Sequence, residues 1–442
     1  MAGDPADAAG DWLDRHAPPG PLAIACSGGS DSLALLLAAS RWAGRAGRTL
    51  HILTVDHGLR RESAEEANFV IRRAEALGHK ARCLVWTGPK PASGLQQAAR
   101  QARHHLLARA CRDAGARGLL LAHTLDDQIE TLAMRLAAGG GWRGAAAMRP
   151  VAPSPVWPDG RDVILCRPLL AMRRQALRDW LTGQGERWID DPSNADTRYT
   201  RVRIRQHLAA LEAAGLDISR LAQLAGDLSG LRDAELRTAA RLAAQACELL
   251  PWGGMRIDPG ALDAAAPVIR RAVLEAAVLA VSGRESLPGR HAVDRLSSAL
   301  AAGKRATAGG VMLAPWQGRT WLVRDPGAAT GRVDRPGTGS LDADGVWDGR
   351  FVVTGLSAGL NAGTLGRTYD GLDRRDILDA IPGFARPGLL AVREGGLEEG
   401  NVVAVAGVPG SQDRRVQIEP LQAHRFCTRL LSAAPAVWFD TD

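Results

Sequence analysis

The sequence is almost without lysine: Lys80, Lys90 and Lys304 stand alone among 55 basic residues, and the rest are arginine. GC-rich coding accounts for most of that ratio. Its chemical consequence stands all the same, because guanidinium forks suit bidentate contacts with phosphate. Aromatic residues are scarce at 4%, so an RNA-binding surface here would rest on charge and shape more than on stacking. No apolar run approaches the ~20 residues that a membrane-spanning helix needs. The six cysteines (Cys26, Cys83, Cys111, Cys166, Cys247 and Cys427) are scattered with no C-x-x-C pair. That argues against a zinc ribbon, an iron–sulfur site or a disulfide framework. Met1 to Gly10 contains Asp4 and Asp7 but neither a basic start nor an apolar stretch, so no secretory signal is expected. Together these absences predict a cytoplasmic protein.

What is present is more specific. Pro21-Leu22-Ala23-Ile24-Ala25-Cys26 is an apolar, strand-like run, and Leu33 to Ala39 has helical composition. Between them lies Ser27-Gly28-Gly29-Ser30-Asp31-Ser32. A strand, a glycine-serine loop and a helix start aim backbone N–H groups and a helix dipole at an anion. Asp31 would repel a phosphate unless a cation sits between them, which implies Mg²⁺. The loop lacks the Gly-Lys-Ser/Thr ending of a Walker A motif. It resembles the PP-loop, SGGxDS, of enzymes that split ATP into AMP and pyrophosphate.

The length of 442 residues predicts about three domains. Over the first two hundred residues, candidate strands (Leu22–Cys26, Leu50–Val55, Ala81–Trp86, Gly118–Ala122) alternate with helical patterns (Leu33–Ala46, Glu62–Leu77, Leu95–Ala114). This alternation predicts an α/β fold with a doubly wound parallel sheet. Ligands of such sheets sit beyond the carboxyl ends of the strands. Three polar motifs fall there: the Ser27–Ser32 loop, Asp56-His57-Gly58-Leu59-Arg60, and His123 to Thr131. Gly139 to Gly160, rich in glycine and proline, is expected to be a flexible loop over the sheet edge. We place the catalytic domain at residues 1–214, a helical domain at 215–326, and a small mixed or β-rich domain at 345–442.

Within Asp126–Leu136, Ile129, Leu132, Ala133 and Leu136 form a core stripe, which puts Asp127 and Glu130 together on another face. Asp126 or Thr124 could cap this helix. A carboxylate pair here can hold Mg²⁺ or bind the ammonium of an amine substrate. Arg100 and Arg103 flank the core stripe of the Leu95–Ala114 helix, where either could stabilise charge developing in nucleotidyl transfer. Arg198, Arg201 and Arg205 make a basic stripe that suits either solvent or RNA phosphates, and the net charge of +7 fits a polyanionic partner.

As a set, these residues resemble the tRNA(Ile)-lysidine synthases. The matching segments are Ser27–Ser32, Val55 to Arg60, Ala99-Arg100 with Arg103, His123–Thr131, Arg167-Pro168-Leu169-Leu170 and Trp188 to Asn194. The resemblance spans residues 20–210 and weakens beyond Asp217. It implies an ATP-dependent ligase that adenylates the wobble cytidine of a CAU-anticodon isoleucine tRNA and then adds L-lysine. It implies ATP contacts from Ser27, Gly28, Gly29, Ser30, Asp31, Ser32, Asp56, His57 and His123, with Mg²⁺ on Asp31 and Asp127. Asp127 and Glu130 would take the lysine ammonium, and Arg198, Arg201 and Arg205 the substrate RNA. Arg100 and Arg103 would steady the adenylated intermediate. The family also suggests a homodimer. Three departures bear on substrate contacts: Ala138-Gly139-Gly140-Gly141 where Arg-Gly-Ser-Gly is usual, His104 for tyrosine, and Val202 for asparagine. The rival reading is a tRNA thiolase acting on an adenylated base, or, from another class, a non-catalytic RNA-binding module.

Overall fold

The computed structural model describes residues 4–59, 63–88, 90–139, 141–190, 196–198, 200–331, 337–366, 381–396, 400–408 and 415–430. The chain divides into two compact units, one built on residues up to Ala234 and the other on Glu235–Ser432. No helix among the described residues is long and apolar enough to cross a membrane.

In the first unit the expected alternation is realised as α1 (Pro5–His16), β1 (Leu22–Ala25), α2 (Ser30–Ala46), β2 (Leu50–Asp56), α3 (Ser63–Ala76), β3 (Lys80–Val85), α4 (Leu95–Asp113), β4 (Gly118–Leu120) and α5 (Leu125–Ala137). Then come α6 (Trp142–Ala145), β5 (Val151–Pro153), β6 (Ile164–Cys166), α7 (Arg174–Gly183), α8 (Thr200–Ala213) and the start of α9 (Ile218–Ala246), whose residues from Glu235 on belong to the second unit. The six strands order as β3-β2-β1-β4-β6-β5. All neighbours are parallel except β5, which runs antiparallel on β6.

Strand β1 is apolar throughout because both its faces are covered. Leu22 and Ile24 join a core with Leu33, Leu36 and Leu177, whereas Ala23 packs with Leu107 and Cys111 of α4. Helices on opposite faces make β1/β4 the switch in strand order, and the glycine-serine loop leaves β1 there. Helix α2 is Ala- and Leu-rich, buries Leu33 to Ala39, and stops at Gly47, whose φ of 63° closes the helix on Ala43.

Gly139 to Gly160 departs from the expected flexible loop. It holds α6 and the edge strand β5, with Val156 and Trp157 buried. Apolar side chains between its prolines supply the anchoring that a count of Gly and Pro misses.

The second unit has helical content as expected, including α10 (Pro259–Asp263), α11 (Pro267–Ser282) and α12 (Arg290–Ala301). It also has a five-stranded antiparallel sheet that was not foreseen. Its strands are β7 (Cys247–Leu249), β8 (Met255–Ile257), β9 (Ala306–Ala308), β10 (Val311–Trp316) and β11 (Arg319–Arg324). The hairpin between β10 and β11 turns through Gln317 and Gly318, both at positive φ. That is the backbone a two-residue hairpin turn demands. Toward the C-terminus the β-rich expectation holds as two three-stranded antiparallel sheets within 345–420.

Candidate active site

The loop after β1 is held open by its own hydroxyls. Ser32 Oγ donates to the Gly29 carbonyl at 3.0 Å and accepts from Ser27 N at 3.2 Å, which folds the loop back on the first turn of α2. Gly28 has a φ of 83°, and a Cβ there would lie 2.5 Å from Ile189 Cδ1. Only glycine fits. Gly29 caps α2 with no side-chain acceptor, so the first N–H groups of the helix stay free to meet an anion.

Beside that helix end lies a network of three carboxylates and three arginines. Asp31 sits on α2, Asp127 and Glu130 on α5, Arg174 on α7, and Arg201 and Arg205 on α8. Arg174 donates to all three carboxylates: Nε to Asp31 Oδ2 at 2.9 Å, Nη2 to Asp127 Oδ1 at 3.1 Å and Nη1 to Glu130 Oε1 at 3.3 Å. Arg201 reaches Glu130 Oε2 at 2.6 Å and Asp127 Oδ1 at 2.8 Å, while Arg205 Nε reaches Glu130 Oε1 at 2.7 Å. The cap of α5 is Thr124, whose N and Oγ1 donate to Asp127 Oδ2 at 2.8 and 3.0 Å. Asp126 instead accepts from the Arg174 backbone N at 2.7 Å and so fixes the start of α7.

Burial raises the Asp31 carboxyl above its usual range, and Arg174 opposes that rise. Burial acts the same way on Glu130, but hydrogen bonds from Arg205 and Arg201 outweigh it and hold its carboxyl low. Asp31 Oδ2 and Asp127 Oδ1 converge on one guanidinium. Two hard oxygen donors aimed at a single cation fit Mg²⁺.

The other wall of the site is basic. Burial and mutual repulsion pull Arg103 down to about 10, with Arg100 and Arg201 as the repelling charges. Burial, then Arg201 and Arg135, likewise lowers Arg100. Among the described residues no hydrogen bond reaches Arg103 Nε. Arg103 is half-buried and Arg100 exposed, and guanidinia crowded together with no acidic partner among the described residues make a receptor for an anion. Arg167 donates to His123 Nδ1 at 3.1 Å, which leaves the proton on Nε2. Burial and then Arg167 push His123 down to about 2, so its ring stays neutral. His104, in place of the usual tyrosine, is buried, pushed down to about 3 by burial and then Arg103, and its Nε2 has no partner among the described residues.

At the end of β2, Asp56 accepts from Gly58 N at 2.7 Å and from Ser63 Oγ at 2.6 Å, and His57 stands edge-on to Trp86. Arg60 and residues 191–194 of the Trp188–Asn194 segment lie outside the described residues, as does Gly140.

The structure therefore brings Asp31, Asp127, Glu130, Arg201 and Arg205 together. It does not deliver the basic stripe as expected. Arg198 precedes α8 and pairs with Asp196 at 2.7 Å, with its side chain 85% exposed. Arg201 and Arg205 turn inward onto carboxylates because Glu130, 2% exposed, requires compensation. Sequence reasoning missed Arg174 and Arg178. The available signal was an arginine pair four residues apart at a helix start, just after Arg167-Pro168-Leu169-Leu170.

A glycine-serine loop feeding an uncapped helix at the switch point, with convergent carboxylates beside it, defines a PP-loop nucleotide-binding domain. Residues 12–212 match the PP-loop domain family. A tRNA(Ile)-lysidine synthase from Caulobacter vibrioides is 40% identical over 389 residues, covering 85% of this chain and 86% of that protein. Another, from Ruegeria pomeroyi, is 38% identical over 338 residues, covering 76% and 77%. A third, from Hyphomonas neptunium, is 50% identical over 188 residues, covering 42% and 50%. Among solved structures, a U34-tRNA thiolase from Methanococcus maripaludis aligns with a TM-score of 0.43 and 14% identity over 51% of this chain and 77% of that one. The chain belongs to the tRNA(Ile)-lysidine synthase family.

Proposed function

We propose that this chain ligates L-lysine to carbon 2 of the wobble cytidine of the CAU-anticodon isoleucine tRNA, turning ATP into AMP and pyrophosphate. The product, lysidine, shifts codon reading from AUG to AUA. Membership of the family at 40% identity over 85% of the chain carries this reading. The amide-like oxygen at carbon 2 is a poor leaving group. Transfer of AMP to it creates a good one, and the lysine amine then displaces AMP.

The residues fit each part of that chemistry. Ser27 to Ser32 and the free end of α2 suit the pyrophosphate, with Asp56, His57 and His123 completing the ATP site. Asp31 and Asp127 would hold Mg²⁺, which when bound supplies neutralisation of phosphate charge. Asp127 and Glu130 provide negative charge for the lysine ammonium, which on arrival competes with Arg174 and Arg201 for the same oxygens. Arg100 and Arg103, with no acid partner among the described residues, suit the phosphate of the adenylated intermediate. We assign tRNA binding to residues 215–326 and 345–442, with Arg198, whose side chain is 85% exposed, contacting the RNA backbone.

Sulfur transfer is disfavoured by the cysteines themselves, which are scattered along the sequence with no C-x-x-C pair. The test is incorporation of labelled lysine into a CAU-anticodon isoleucine tRNA transcript with Mg-ATP. Incorporation that requires ATP and is lost in Asp31→Ala supports the assignment. AMP release stimulated by tRNA without incorporation would replace lysine with another nucleophile.

A further inference from the structure

Helix α7 carries two arginines one turn apart, and both face the first turn of α2. Arg174 Nε donates to Asp31 at 2.9 Å, and Arg178 Nε donates to Ser30 Oγ at 3.3 Å. Positions i and i+4 share one face of a helix. Two guanidinia therefore converge on the uncapped N-terminus of α2, where the loop hydroxyls and free N–H groups also point.

Neither arginine is fully committed to structure. Among the described residues the one acidic contact of Arg178 is Asp190 at 3.8 Å, with side-chain exposures of 41% and 77%. An ion pair that exposed adds little. Arg174 is more deeply engaged, yet its departure would orphan only one acid. Glu130 keeps Arg201 and Arg205, and Asp127 keeps Arg201 and the Thr124 hydroxyl. Among the described residues Asp31 would keep only Ser30 Oγ at 3.2 Å. Asp31 is also the residue that the ATP reading turns toward the cation. The helix itself stays fixed, because Leu177 and Leu181 are fully buried in the core and the Arg174 backbone N is tied to Asp126. Only the side chains need to move.

We propose that α7 is the second half of the pyrophosphate site: Arg178 grips the outer phosphates of ATP, and Arg174 exchanges Asp31 for phosphate when nucleotide enters. In the free protein Arg174 then stands in for the incoming cation and keeps three crowded carboxylates neutralised. This inference rests on the ATP reading of the site but not on the identity of the nucleophile.

The experiment is calorimetric titration of the full chain with inorganic pyrophosphate in the presence of Mg²⁺. Losing a charge-assisted hydrogen bond to phosphate lowers affinity about tenfold or more. Arg178→Gln is expected to show that loss and a matching rise in the KM for ATP, with the KM for lysine unchanged and partial recovery in Arg178→Lys. Arg174→Gln is expected to weaken pyrophosphate binding too and to show a larger thermal shift with Mg²⁺ alone, since Asp31 is unpaired. Should Arg174→Gln fail to fold, Arg178→Gln decides. Wild-type pyrophosphate affinity in Arg178→Gln overturns the proposal. If pyrophosphate binding falls while lysine is never incorporated, the clamp stands and the assigned substrate fails. If lysine is incorporated and pyrophosphate affinity is unmoved, the reverse holds.

Discussion

Gly28 and His123 are two residues whose surroundings leave one workable state. At Gly28 the left-handed backbone and the Ile189 side chain exclude a Cβ. Gly28→Ala is expected to cost about 1–3 kcal/mol in thermal unfolding and to raise the KM for ATP about tenfold. His123 is held neutral by burial and Arg167, far below the ordinary histidine value of about 6.5. The pH profile of kcat/KM should therefore show no ionisation of His123 between about pH 5.5 and 8. An inflection near 6.5 that vanishes in His123→Gln would contradict this account. The glycines and hydroxyls of Ser27–Ser32 were legible in the sequence because their chemistry is local. Arg174 was not: its partner Asp31 lies 143 residues away, and in a chain so rich in arginine nothing local singles it out.

At the scale of elements, α5 and α8 are joined by Glu130. Its carboxylate accepts from Arg174, Arg201 and Arg205 while almost wholly buried. Hydrogen bonds to charged groups contribute about 1.5–3 kcal/mol, so Glu130→Gln should destabilise the first unit by that amount and lower activity with it. Chemical denaturation and lysine incorporation measure the two effects. The strands β1 to β4 and helices α2 to α5 were readable to within a few residues, because parallel strands buried on both faces are continuous apolar runs. The inward turn of Arg201 and Arg205 was hidden, since a stripe at helical spacing looks the same whether it faces solvent or a buried acid. The strands of the second unit's larger sheet escaped for another reason. At three to six residues each they are too short for alternation to register.

Over the whole molecule, the second unit is cross-linked at Asp348. This residue accepts from Arg324 of β11 at 2.9 Å and from Arg350 at 2.7 Å, with Thr338 completing its shell at 2.9 Å. Burial alone would raise its carboxyl, but Arg350 and Arg324 hold it below the usual range. Its folded value thus lies below its unfolded one. The stabilisation is complete above the unfolded carboxylate value and is lost as pH falls through the folded value. Asp348→Asn leaves two arginines without their acid and should cost about 3–5 kcal/mol at neutral pH. The variant's deficit should shrink as pH drops below about 4, which urea melts across that range would show. Nothing in the sequence linked Arg324 to Asp348, because the contact joins regions that composition alone had separated.

The measurement that bears most directly on the central claim is the mass of the wobble nucleoside recovered from the CAU-anticodon isoleucine tRNA after reaction. The account predicts that cytidine gains lysine only when ATP and lysine are both supplied, and that Asp31→Ala leaves it unchanged. Unmodified cytidine under full conditions, or a base that has gained sulfur, would contradict it.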